Sequence, residues 1–410
     1  MVHINDFPDE ILAAILSFFT DKFTNVVLLR FVCRRWRDVL RTHLLRIDFS
    51  EDSVRSRVTD AIFLHFSAIP SLKEVNLASC SRLTDKSMLK LVECCPELAV
   101  VNVDTCKFTA ESLGPLIRSS GAFLLELNLA FYGGSDLPGL LELLGQHCPN
   151  LRALHLDYAP RLPARALWPV LAGCPALERL SLQGIKFPAA VFQALARPGS
   201  CGRQLRSINL ACSTLAVDTL PDLIGGCPCL EVLDLHRLQA ADGDSLPRLG
   251  SLITAPCLET LRSIDLSGCE IPVGFMRALT TRGSRLQALA LRRSMFTEGT
   301  EECFVNAAFR KTITSLQLCS TLVNTRMLQI LTGRVIPGTA HPGDGYPGLT
   351  YLVLQWANEP AETIEFLPRG PMRLKYLRLE SNAPGFAAHC LALNDLERRG
   401  CEVEMRMNMG

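Results

Sequence analysis

Along most of the chain an apolar residue is followed three and five positions later by two more, as in Leu151, Leu154 and Leu156. The pattern starts at Leu44, Leu72, Leu98, Leu124, Leu151, Leu177 and Leu205. It resumes at Leu230, Leu261, Leu286, Ile313, Leu349 and Leu374, giving thirteen occurrences, most of them 25 to 28 residues apart. As short strands, these segments turn their first, fourth and sixth positions to a core and their third, fifth and seventh to the opposite, concave face. Between strands the spacing changes. Met88, Leu91, Val92 and Cys95 stand at i, i+3, i+4 and i+7, as do Leu167, Val170, Leu171 and Cys174, and Leu220, Leu223, Ile224 and Cys227. That is one face of a short helix. Thr84 and Asp85 offer side-chain oxygens to cap the first of these, and Pro96 cannot continue it. The pattern predicts an α/β solenoid of about 13 strand-helix units, which suits a chain longer than the ~250–300 residues at which one compact core stops growing.

Four of these helices end in Cys-Pro-x-Leu, at Cys95, Cys148, Cys174 and Cys227. Free cysteine behaves as a small hydrophobe, and zinc would need Cys-x-x-Cys pairs, which the sequence lacks. These cysteines therefore read as core packing. Leu-x-x-Leu-x-Leu, often with a Cys three residues on (Cys80, Cys106, Cys269), then Leu83-Thr84-Asp85 and a helix ending in Cys-Pro, resembles the cysteine-containing class of leucine-rich repeat. The resemblance covers roughly residues 44 to 400 and implies a horseshoe. Two units are long, 31 residues from Leu230 and 36 from Ile313. The second excess lies in the Gly- and Pro-rich segment 333–348, a loop and a candidate lid.

Residues 1–43 carry a different pattern. Phe7, Ile11, Leu12, Ile15, Leu16 and Phe19 fall at helical spacing, with Pro8 at the first helical position and Asp9 and Glu10 at the positive end of the dipole. A second apolar run carries Val26, Leu29, Val32, Cys33, Trp36 and Leu40. Two or three short helices in about forty residues bury little alone and call for a staple or partner. Phe7-Pro8-x-Glu10-Ile11-Leu12, then Ile15-Leu16 and Val32-Cys33-Arg34-x-Trp36, resembles an F-box. That resemblance implies docking on the Skp adaptor of cullin-RING ubiquitin ligases through Phe7, Pro8, Ile11, Leu12, Ile15, Val32, Cys33 and Trp36. A plain helical cap on the solenoid is the alternative. Leu40 and the first strand are nearly contiguous, with no linker, so a ligand on the repeats would be held at fixed geometry from the docking site. The tail 401–410, CEVEMRM with three more residues, reads as a terminal edge strand with Glu402, Glu404 and Arg406 outward.

A target protein would sit on the concave face. The fifth positions of the early strands are mostly polar (Asn76, Asn102, Asn128). Aromatic and Arg residues, which anchor interfaces, gather later: Phe131, Tyr132, His155, Asp157 and Tyr158, then His236 and Arg237, Arg292 and Arg293, and finally Tyr351, Trp356 and Tyr376. A net charge of +1, with no block of like charges, disfavours nucleic acid and membrane surfaces as partners. The N-terminus has three acids in ten residues, unlike a signal peptide, and the odd count of 17 cysteines suits free thiols in the cytosol or nucleus. No nucleotide-binding, hydrolase or metalloprotease motif occurs, and no cofactor or catalytic residue is implied. The expectation is a non-catalytic substrate receptor of an SCF-type ubiquitin ligase. The alternative is an interaction scaffold or inhibitor-like repeat protein.

Overall fold

The computed structural model describes residues 4–17, 23–67, 69–159, 162–163, 166–186, 200–215, 220, 225–240, 249–296, 299–319, 321–333, 344–356, 367, 371–381 and 393–407. The chain forms two compact units, Met1–Leu205 and Arg206–Gly410.

The first unit opens with three helices, α1 (Asp9–Ser17), α2 (Phe23–Val32) and α3 (Arg34–His43). Buried Leu12, Leu16, Val26, Val39 and Leu40 join them. The run from Val26 to Leu40 is broken at Cys33, whose extended backbone and Sγ, accepting from the Trp36 amide at 3.5 Å, cap α3. Leu44 closes α3 by donating its N–H to the Leu40 carbonyl at 3.0 Å. It is also the first core position of the first repeat, so helices and repeats share a residue and have no linker.

Six parallel strands follow in register: β1 (Arg46–Asp48), β2 (Glu74–Asn76), β3 (Val100–Asn102), β4 (Glu126–Asn128), β5 (Ala153–His155) and β6 (Arg179–Ser181). Each begins two residues after its leading Leu. The first, fourth and sixth positions are buried, as at Leu151, Leu154 and Leu156, and each such side chain contributes ~1.5–3 kcal/mol. Helices α4 (Asp52–Arg55), α5 (Asp60–Ser67), α6 (Asp85–Cys94), α7 (Ala110–Ser120), α8 (Leu137–His147) and α9 (Trp168–Gly173) return the chain.

Asp85 departs from the expected cap. It does not cap its own α6; its carboxylate accepts the Thr109 amide and hydroxyl, each at 2.8 Å, and the Ser112 hydroxyl, all at the start of α7. Asp60 does the same one repeat earlier for Thr84 and Ser87. The starts of α6 and α7 are thus held by the preceding repeat.

The large sheet of the second unit has eight parallel strands among the described residues, β7 (Ser207–Asn209), β8 (Val232–Asp234), β9 (Ser263–Asp265), β10 (Ala288–Ala290), β11 (Ser315–Leu318), β12 (Tyr351–Trp356), β13 (Tyr376–Ser381) and β14 (Glu402–Met407), and two short two-stranded pairs accompany it. All thirteen pattern starts lead into a strand, and the tail adds β14, with Glu402 and Arg406 exposed. Among the described residues helices are sparser here: α10 (Val273–Arg282), α11 (Ala307–Thr312), α12 (Thr325–Thr332) and α13 (Asn394–Arg398), with 3-10 turns at Leu249–Thr254, Pro256–Glu259 and Thr300–Val305. The helix expected around Leu223 and Ile224 lies outside the described residues. So does most of the 333–348 loop, but its end is pinned: Tyr346 is fully buried, and its hydroxyl donates to the Phe304 carbonyl at 2.8 Å.

None of the sixteen described cysteines is joined in a disulfide. Cys95, Cys148, Cys174 and Cys227 are fully buried, and the Cys95 thiol donates to the Ile69 carbonyl at 3.2 Å. Burial pushes the thiols of Cys148 and Cys174 up to about 12. They are inert packing groups.

Candidate functional site

The N-terminal helices leave apolar side chains facing solvent. Phe7 is 37% exposed, Ile11 48%, Val32 57% and Phe31 79%, and Pro8 is exposed beside them. Of the other residues the F-box resemblance points to, Ile15, Cys33 and Trp36 are half-buried. Leu12 is a correction: it is fully buried with Leu16, because the face of α1 that packs inward repeats at i and i+4. Leu12 holds the helices together and cannot meet a partner directly. Phe31 was missed, although it adjoins Val32 in the same apolar run. Arg35 clamps α1 to α3, donating to the Asp9 carboxylate at 2.7 Å and to the Phe7 carbonyl at 2.5 Å.

On the repeats, the fifth-position residues are tied to the backbone. Asn102, Asn128, Asn209, Asp234 and Asp265 each accept the amide N–H two residues on, at 2.8–3.0 Å. They shape the exit turn of the strand. Three residues later comes a left-handed position in nine successive repeats: Ser79, Thr105, Phe131, Tyr158, Gly184, Cys212, Arg237, Gly268 and Arg293 have φ between 51 and 76°. A side chain there costs ~1–2 kcal/mol in backbone strain. The next repeat stabilises it: the Phe131 amide donates to the Asp157 carbonyl and the Tyr158 amide to that of Gln183, both at 2.7 Å.

Four residues expected at an interface, Phe131, Tyr158, Arg237 and Arg293, occupy this ladder. The rings of Phe131 and Tyr158 stack at 4.7 Å and 16°, with 51% and 38% of these residues exposed. The Tyr158 ring lies over Gly184, where a Cβ would come within 2.4 Å of it. Tyr132 is a correction. It holds the ninth position, filled by Cys80, Cys106 and Cys269 in other repeats, and is buried with its hydroxyl on Asp136 at 2.7 Å. Nearby, Asp157 accepts the Ser181 hydroxyl at 2.6 Å and the Gln183 amide at 2.8 Å. Glu126 pairs with Arg179 at 2.7 Å and approaches His155 at 3.6 Å.

In the second unit, His236, Arg237, Arg292 and Arg293 line one cavity of about 350 Å³. Gly268, Gln355, Arg378, Glu380 and Arg406 complete it; of these only Arg406 was named from the sequence, as an outward residue of the terminal strand. Arg378 pairs with Glu380 at 2.9 Å and Arg406 with Glu404 at 2.6 Å. Among the described residues no carboxylate lies within 4.0 Å of the guanidinium of Arg237, Arg292 or Arg293. Tyr351 and Tyr376 stack at 4.7 Å and 7°. The side chain of Trp356 lies outside the described residues.

Residues 4–48 match the F-box-like family model. They are an F-box-like domain. A leucine-rich-repeat solenoid follows it. An F-box/LRR-repeat protein of Arabidopsis thaliana is 32% identical over 117 residues, 28% of this chain and 26% of that protein. The Arabidopsis BTB/POZ domain-containing protein FBL11 is 26% identical over 217 residues, 50% of this chain and 22% of that protein. The chain thus spans about a quarter of the length of these curated relatives. A chain from the crystal structure of the Rad7 and Elc1 complex in yeast has the same fold, with a TM-score of 0.54 at 16% identity over 90% of this chain and 88% of that one.

Proposed function

We propose that the chain is the substrate-recognition subunit of an SCF-type cullin-RING ubiquitin ligase. Its F-box-like domain docks on the Skp adaptor and its repeats hold the protein to be ubiquitinated. The observation that carries this reading is the set of exposed apolar side chains, Phe7, Pro8, Ile11, Phe31 and Val32, on a domain matching the F-box-like model, fused to the first repeat through Leu44. Exposed apolar side chains on a domain this small mark an interaction site. The sharing of Leu44 holds the first repeats in fixed relation to that site. The chain itself performs no chemistry; it raises the target's effective concentration near the ubiquitin-charged enzyme, in a reducing compartment of the cell.

Co-purification with the Skp adaptor tests the reading, comparing wild type with an Ile11→Glu/Val32→Lys variant. Both side chains are exposed, so the variant keeps its core and its circular-dichroism spectrum. Wild-type capture and at least a tenfold loss in the variant are expected. If the wild type captures no adaptor, the helices are a cap and the ligase assignment falls.

A further inference from the structure

We infer that the open ring face of Phe131, with the Asp104 carboxylate of the adjoining repeat, binds an arginine side chain of the target protein. This rests on the reading of the repeats as a target-binding surface.

Phe131 stands in the ladder of left-handed residues between Thr105 and Tyr158. The Thr105 amide donates to the Ala130 carbonyl at 3.1 Å, and the Phe131 amide to that of Asp157 at 2.7 Å. One face of the Phe131 ring is covered by Tyr158, at 4.7 Å and 16°. Tyr158 in turn lies over Gly184, and its hydroxyl accepts from the Gln183 side-chain amide at 3.0 Å. The stack is therefore closed and pinned at its Gly184 end. At the other end the next ladder residue is Thr105, which is small and exposed. The second face of Phe131 is left open on that side, and the residue is 51% exposed. A single exposed apolar side chain is ordinary, but this ring is held in place by a second ring and by a backbone at φ 58°. It offers a flat platform whose ordering cost has already been met in folding.

Charge decides what the platform takes. Asp104 accepts the Thr105 hydroxyl on Oδ1 at 2.7 Å, and Asp157 accepts the Ser181 hydroxyl and the Gln183 amide on its Oδ1. In each, one oxygen fixes the carboxylate, and Oδ2 has no hydrogen-bond partner among the described residues. No described cation, Lys107 included, lies within 4.0 Å of either carboxylate. Arg179 and His155 of the neighbouring strands are turned to Glu126 instead. An apolar occupant would strip water from these half-buried charges and return nothing to them. A cation over the ring is drawn by the ring quadrupole and by both carboxylates. Of the two common cations, the guanidinium is planar and stacks on an aromatic face as a third layer. Its N–H groups stay in its own plane, where they can reach Oδ2 of Asp104. An ammonium has no plane to stack.

The test measures, by calorimetry on the full chain, the binding of short degenerate peptide pools that share one fixed central residue. That residue is arginine, its neutral isostere citrulline, lysine or leucine. The arginine pool is expected to bind about tenfold more tightly than the citrulline pool, with the difference shrinking as salt is raised. Two variants locate the contact. Phe131→Leu keeps an apolar side chain and removes the ring; Asp104→Asn keeps the acceptor for Thr105 and removes the charge. Each is expected to lose about threefold of the arginine preference while binding the citrulline pool and unfolding as the wild type does. Should Asp104→Asn unfold at a lower temperature, Phe131→Leu, altered at an exposed side chain, carries the comparison. Equal binding of the arginine and citrulline pools would overturn the site, as would an arginine preference undiminished in Phe131→Leu. A leucine pool that binds more tightly than the arginine pool would replace the cation by an apolar occupant, and a lysine pool that equals it would remove the stacked guanidinium. Adaptor capture is read separately: a chain that captures adaptor but shows no arginine preference loses this site alone, whereas one that captures none loses the receptor reading.

Discussion

Replacing Asp85 by alanine removes a carboxylate that serves a helix other than its own. Three donors lose their acceptor: the Thr109 amide, the Thr109 hydroxyl and the Ser112 hydroxyl. Thr109 is exposed, so water replaces the carboxylate there. Ser112 is fully buried and keeps only a 3.4 Å contact with the Thr109 carbonyl. A buried donor left poorly satisfied costs ~1–3 kcal/mol and a lost helix cap ~1 kcal/mol, so the expected loss is about 2 kcal/mol, felt first in α7. Hydrogen exchange over residues 110–120 should show a loss of protection of about 30-fold, at ~1.4 kcal/mol per tenfold. Asp85→Asn keeps one acceptor and should lose about half as much free energy. Acidity supplies an independent check. Burial acts to raise the Asp85 carboxyl, but the bonds from Ser112 and Thr109 outweigh it and hold the pKa below its ordinary value. A carboxyl depressed in the folded chain contributes stability that is complete above its unfolded value, ~3.9, and lost as pH falls through the folded one. Protection of α7 should therefore decline below about pH 4 in the wild type and vary less in Asp85→Ala. Unchanged exchange in α7, or a loss confined to residues 85–94, would refute capping across repeats.

Gly184→Ala places a Cβ within 2.4 Å of the Tyr158 ring at φ +70°; strain of ~1–2 kcal/mol and the displaced ring together should cost about 2–3 kcal/mol in urea unfolding. In a Tyr158→Ala background only the strain should remain, and strict additivity of the two changes would contradict the packing of ring on glycine. Maleimide labelling of the native chain at pH 8 should modify exposed Cys229 first. Cys148 and Cys174, buried and pushed up to about 12 by desolvation, should label only on unfolding, and peptide mapping that finds Cys174 modified early would count against inert packing.

Counting from each leading apolar residue was enough to place the first thirteen strands of the large sheet, because a parallel sheet with a buried face tolerates no slip in register. The same count could have placed Tyr132, since the ninth position is filled by buried Cys80 and Cys269 and half-buried Cys106 in other repeats. Size and aromaticity suggested a surface anchor, but position decided otherwise. Leu12 erred the same way, through a motif read without the helix face that must pack inward. What no count could show is which long side chains fold back toward one another. Arg237, Arg293, Arg378 and Arg406 are separated by up to 169 residues, and their convergence depends on strand stacking and on side-chain direction. The Asp85 cap was equally hidden, because the local rule assigns such a residue to its own helix.

The ladder of left-handed residues has a period. Phe131 and Tyr158 stack at 4.7 Å, close to the ~4.8 Å between neighbouring strands; Tyr351 and Tyr376, which lie in strands and not in the ladder, keep the same spacing. The surface is therefore ruled at strand pitch. An extended peptide laid across the strands presents like-facing side chains every ~6.6–6.8 Å and slips by about 2 Å at each repeat. A helix, with a turn every ~5.4 Å, slips by only about 0.7 Å. This mismatch confines an extended segment to one or two rungs, whereas a helical partner keeps step along several.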